Sequence, residues 1–144
     1  MNLFGMLEVS GSALGAERLR AEVVTGNMAN AETTRTPEGG PYRRRLVVFR
    51  AAHVQPFPAM LADFRSLATR GVRVEQVTAD PRAPLERYDP GHPDADARGY
   101  VAYPAINPVE EMTDLLGAMR AYELNSSAVQ SAKAMIQAAI EILR

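Results

Sequence analysis

The stretch Ile106-Asn107-Pro108-Val109-Glu110-Glu111-Met112-Thr113-Asp114-Leu115 decides the architecture of this 144-residue chain. Asn107 is a good N-cap, with a side-chain oxygen placed to accept from an amide of the first turn. Pro108 suits the first helical position, where no amide is needed, and Glu110 completes an Asn-x-x-Glu capping box. Glu110, Glu111 and Asp114 bring negative charge to the positive end of the helix dipole. No proline follows in the last 36 residues, so the helix is predicted to run to the chain end, roughly 54 Å at about 1.5 Å per residue. A compact globule of this length measures only about 37 Å across. The helix therefore projects, and its apolar stripe needs a covering surface. Along that stripe Met112, Leu115, Met119, Tyr122, Val129, Ile136 and Ile140 are the residues expected to pack subunits, with Leu143 continuing it.

All ten prolines fall between Pro37 and Pro108. Proline breaks helices, so two helical ends flank a non-helical middle. The N-terminal end reads as a helix from Leu3 to Ala29, closed by Asn27, Ala29, Asn30 and Ala31. Leu7, Leu14, Ala21 and Met28 recur every seven residues, and Val24 joins them on the same face. These five are the packing residues expected of this helix. The spacing fits a coiled-coil seam or an amphipathic helix on a globular core. Gly5, Gly11, Gly15 and Gly26 each weaken the isolated helix by up to about 1 kcal/mol relative to Ala, so it depends on partners. In the middle, Leu46 to Phe49, Gly71 to Val77 and Tyr100 to Tyr103 read as strands. Turn chemistry marks Pro37 to Pro41 and Asp89 to Gly91. Residues 56 to 70 fit either a short helix or a loop. The expected fold is mainly α with a small β region. Long N- and C-terminal helices pair as a coiled-coil-like bundle around a short-stranded, Pro-rich middle. Its divisions are 1–31, 32–106 and 107–144.

Composition narrows the function. Sixteen basic against 17 acidic residues leave no basic excess for a nucleic-acid backbone. There is no cysteine, which excludes disulfides, thiolate zinc sites and cysteine nucleophiles. No apolar run is long enough to span a membrane. Residues 109–144 carry five acidic and three basic side chains, the wrong balance for an anionic lipid surface. The N-terminus lacks a basic segment and meets Glu8 early, so no cleavable secretory signal is expected.

Candidate chemistry is sparse. There is no GxGxxG or P-loop pattern. Ser10-Gly11-Ser12 lies in a helical pattern with no histidine nearby. His53 and His92 occupy loop-like, proline-flanked contexts typical of solvated histidines. Asp89, His92, Asp94 and Asp96 form one acidic and histidine cluster. In Asp94-x-Asp96-x-Arg98-Gly99 a calcium loop fails, because Arg98 replaces an oxygen ligand and Ala105 stands where a bidentate Glu belongs. The preferred reading is a turn that delivers Gly99 to the next strand. Arg43-Arg44-Arg45 reads as a solvated strand edge or a subunit salt-bridge surface. Neither an enzyme nor a metal or cofactor site is expected.

The chain resembles the flagellar axial proteins. Gly11-Ser12-Ala13-Leu14 and Asn27-Met28-Ala29-Asn30-Ala31 are similar to their shared N-terminal helix and asparagine motif. Gly39-Gly40-Pro41-Tyr42-Arg43 and Val47-Val48-Phe49 continue the likeness. Tyr88-Asp89-Pro90-Gly91-His92-Pro93 and Ala95-Asp96-Ala97-Arg98-Gly99-Tyr100-Val101 resemble the proximal-rod members in particular. Pro104, Asn107, Glu111, Met112, Arg120-Ala121-Tyr122, Asn125, Lys133 and Met135 extend the likeness to the C-terminus. Residues 51 to 70 fall outside it, and Arg98 stands where Asn is commoner. Within this motif Asn27, Asn30, Tyr88, Pro90, Gly91, Asp96, Gly99 and Tyr100 are the turn and family residues. The resemblance implies a structural rod subunit that self-assembles with other rod proteins and transmits torque. It also implies uncleaved export through the flagellar type III apparatus and residence in the periplasmic part of the basal body. A different rod or hook member is the alternative within the family, and a metal-binding module the alternative outside it.

Overall fold

A computed structural model of the chain describes residues 3–52 and 71–142. The stretch 56–70, His53 and Leu143 lie outside the described residues. The elements run α1 (Leu3–Ala29), β1 (Arg45–Ala51), β2 (Val72–Ala79), β3 (Leu85–Tyr88), β4 (Tyr100–Tyr103) and α2 (Pro108–Ile142). β1 pairs antiparallel with β2, from Arg45↔Ala79 to Ala51↔Val72, with an irregularity between Val48 and Phe49. β3 pairs antiparallel with β4, from Leu85↔Tyr103 to Tyr88↔Tyr100. Two long helices packed on each other, with a small antiparallel strand region beside them, make a mainly α fold.

The helices run in opposite directions. Asn27, near the end of α1, bonds Glu111 near the start of α2, and Arg20 pairs with Asp114. Residues buried along the helices include Gly5, Ser10, Ala16 and Val24 on α1 and Ala118 and Ala132 on α2. Small residues let two helices approach toward the short end of the usual 8–10 Å range, roughly. Among the described residues six apolar side chains are buried, and three of these are alanine. The core is correspondingly thin.

Asn107 starts α2 as expected: its Oδ1 accepts the Val109 amide at 3.0 Å. The capping box closes differently. Glu110 accepts from the Asn107 side-chain amide at 3.4 Å rather than from the cap's backbone. At the end of α1 the two asparagines divide the work that the sequence reading gave to both. Asn30 folds its side chain onto the Gly26 carbonyl at 2.9 Å and caps the helix. Asn27 does not terminate anything; it is buried and reaches across to α2 and β1.

The stripe on α2 divides between two faces. Leu115, Val129 and Ile136 are half-buried, in line with Glu111, Ala118 and Ala132. Met112, Met119 and Ile140 stand one residue further round and are exposed, as is Tyr122. On α1, Val24 is buried and Leu7, Leu14, Ala21 and Met28 are half-buried. β3 was not anticipated. All four of its residues are exposed, so it lacks the alternation by which a half-buried strand is read.

β2 is held to α1 by a close approach. Ser12 Oγ accepts the Val72 amide at 3.0 Å and donates to the Val9 carbonyl at 2.7 Å. A side chain on Gly71 would collide with Ser12, so only glycine lets the strand begin there.

Candidate functional site

The most organised side-chain cluster joins both ends of the chain to the strands. Asn27 is its hub. The side-chain amide donates to the Arg45 carbonyl and to Glu111 Oε2, both at 2.9 Å. Its carbonyl oxygen accepts the Arg45 amide at 2.8 Å and the Tyr42 hydroxyl at 3.2 Å. An asparagine side chain offers two donors and two acceptor sites, and all four are used.

Glu111 is fully buried. Its second oxygen, Oε1, takes Arg44 Nε at 2.5 Å. The same guanidinium reaches Asp114 at 3.5 Å and Asp80 at 3.8 Å. Asp80 in turn accepts the Arg82 amide at 2.9 Å and its guanidinium at 2.8 Å. These bonds hold the Asp80 carboxyl below the usual carboxylate range, first through the Arg82 side chain and then through its backbone amide. Burial pushes the Tyr42 hydroxyl above its ordinary value, Arg45 counteracts this, and the Glu111 charge adds to the rise. The knot fixes α1, the segment before β1, the end of β2 and the start of α2 in one arrangement. Both Glu111 oxygens are engaged, so neither is free to move a proton to a bound molecule. What this chemistry can do is orient.

Sequence reasoning missed half of this cluster. The sequence reads Arg43-Arg44-Arg45 as a solvated strand edge or a subunit salt-bridge surface; Arg43 and Arg45 are exposed, but Arg44 between them points inward and pairs with Glu111 of its own chain. The strand alternation of those three residues carried that signal. Glu111 is read from the sequence through the helix dipole and the family likeness, neither of which places it against Arg44 and Asn27. Asp80 carries no local signal, because its partners arrive from distant segments.

The β3–β4 loop is built by its acidic residues. Asp96 Oδ1 accepts the amides of Arg98 and Tyr100, each at 2.8 Å. Asp94 accepts the Thr34 hydroxyl at 2.9 Å and Arg35 at 3.3 Å, tying the loop to the segment after α1. His92 Nδ1 accepts the Asp94 amide at 3.1 Å. Gly99 has φ of 82°, and its amide donates to the Asp96 carbonyl at 2.9 Å. Tyr88 and Tyr100 meet edge to face at 5.4 Å beside it. Among the described residues no group of three His, Asp or Glu side chains is arranged to hold a metal ion. Of the motif residues, Tyr88, Asp96, Gly99 and Tyr100 come together here, while Asn27 and Asn30 sit at the end of α1.

Comparison with known proteins places this geometry. The family described as flagellar basal body rod FlgEFG protein C-terminal matches residues 97–142, which hold β4 and α2. A flagellar basal-body rod protein FlgC of Borreliella burgdorferi is 41% identical over 100% of this chain and 99% of its own length. The chain belongs to the flagellar basal-body rod protein FlgC family. The FlgC protein of Bacillus subtilis is 40% identical over 99% of each chain, and that of Salmonella typhimurium 36% over 94% of each. FlgC membership makes the chain a structural subunit of the flagellar basal-body rod. It also removes the hook alternative.

Proposed function

We propose that the chain is a passive, torque-carrying block of the proximal rod, joined to neighbouring rod subunits through its helices. One observation carries the reading. The inner face of α2 is fixed against α1 and the polar knot, yet its outer face leaves Met112, Leu116, Met119, Tyr122 and Ile140 between 43% and 57% exposed. Exposed apolar side chains grouped over neighbouring turns, as Met112, Leu116, Met119 and Tyr122 are, mark an interaction surface. In this reading α1 and α2 pair as a coiled coil, with Glu111, Leu115, Ala118, Asn125, Val129, Ala132 and Ile136 recurring at three, four or seven residues along the seam. Leu7, Leu14, Ala21, Val24 and Met28 face them from α1. Residues 1–31 and 107–144 form the assembly stalk, and 32–106 form its Pro-rich strand region. Copies of the chain and other rod proteins cover the outer stripe, and catalysis has no part. Uncleaved export through the flagellar apparatus and a periplasmic position follow from the family resemblance.

Leu116→Asp tests the stripe. Leu116 is 49% exposed, so a charge there leaves the free chain folded, while in an interface it costs several kcal/mol, roughly. The variant is expected to keep the wild-type helix content by circular dichroism and to form no rods by electron microscopy. A motile strain with normal rod counts would refute the surface.

A further inference from the structure

A groove of about 410 Å³ opens between the helices, lined by Glu17, Arg18, Ala21, Ala118, Met119, Tyr122 and Glu123. Apolar side chains make up most of its walls; of its two acids, Glu17 has Arg20 as an ion-pair partner, while Glu123 has no partner among the described residues. Glu17 Oε2 is buried without a hydrogen-bond partner, and Arg20 stands 3.7 Å away, too far to supply one. Arg18 also lines the groove, but its guanidinium is taken by Glu22 at 3.0 Å. A buried carboxylate oxygen in apolar surroundings calls for a cation on an aliphatic stem.

We propose that this groove receives Lys133 from a second copy of the chain; the inference rests on the rod reading above. Lys133 is the chain's single lysine. It is exposed, with no ion pair among the described residues. It lies two seven-residue steps beyond Met119 on the exposed stripe, one step before Ile140. Its own groove is about 15–22 Å away along the helix, beyond the reach of a lysine side chain. The pair therefore forms between copies, staggered by that distance. Each copy would use its groove for one neighbour and its lysine for another. Such a contact is heterologous and extends as an open array rather than closing into a dimer.

The chain has no cysteine, so labelled positions react without background. Glu123→Cys and Lys133→Cys are placed in two differently tagged full-length copies and co-assembled in cells. A short bis-maleimide linker is then applied to purified basal bodies. A link between the two tags is expected, with far less when both copies carry the same variant. Lys133→Glu is expected to reduce rods at least about tenfold, and Glu123→Lys in the same chain to restore part of them. Rods without the link, or Lys133→Cys joined only to a different protein, overturn this inference and leave the rod reading intact. Absence of the tagged wild-type chain from basal bodies overturns both.

Discussion

Glu110 and Glu111 are adjacent in sequence and opposite in circumstance. Glu110 is exposed, while Glu111 is fully buried between Arg44 and Asn27. Removing one member of a buried pair leaves the other charge without compensation. Glu111→Ala strips Arg44 of its shortest partner and frees an Asn27 donor, although Asp114 and Asp80 stay near the guanidinium. A loss of about 3 kcal/mol is expected, against about 0.5 kcal/mol or less for Glu110→Ala. Urea unfolding of the two variants measures the difference, and equal midpoints would refute the knot. Asp80 gives the same cluster a pH signature. Arg82 lowers its folded-state pKa, so on acidification the unfolded chain binds the proton first. Its stabilising contribution is complete above about pH 4 and is lost as pH falls through the folded value. Relative to Asp80→Asn, the wild-type advantage should hold constant near neutrality and shrink below about pH 4. An advantage that stays level down to about pH 2 would remove Asp80 from this role.

The β3–β4 hairpin turns on one glycine. At φ of 82°, a Cβ on Gly99 would lie 2.9 Å from Tyr88 Cε2 and 3.2 Å from Pro90 Cβ. Gly99→Val combines that clash with a conformation β-branched residues avoid, and a loss of about 2–3 kcal/mol is expected. Gly117 on α2 has open space around it, and Gly117→Ala should stabilise by up to about 1 kcal/mol. Thermal midpoints moving in the same direction for both would contradict this account. Elements of this kind were legible to different degrees. The helices were readable because proline distribution, caps and 3–4 spacing act locally, and each repeats its signal over many residues. The Gly99 turn was readable because loop chemistry is also local. β3 was not, since an exposed strand of four residues has no buried face to imprint a pattern. Arg44 and Asp80 were not, since a charge network is set by which segments meet, not by what precedes each residue. The outer position of Met112 and Met119 was hidden for a related reason: one stripe of apolar residues served two faces.

As a whole the molecule is held by alanine-sized contacts and one polar knot, with six buried apolar side chains among the described residues. So thin a core gains stability from anything that covers the outer face of α2, because binding to the folded form alone shifts unfolding by mass action. The melting temperature should rise with protein concentration in the wild type and stay level in Leu116→Asp. A concentration-independent wild type would mean that the isolated chain is self-sufficient. The pairing of Asn27 with Glu111 joins positions 84 residues apart. At synthesis rates of about 5–20 residues per second, α1 waits roughly 4–17 s before its partner segment exists. During that interval its glycines and its unpaired asparagine leave it without a stable mate, so the first helix made is among the last parts to be locked. The chain thus carries its own delay. It stays pliable until the start of α2 has emerged, and the two helices become rigid together.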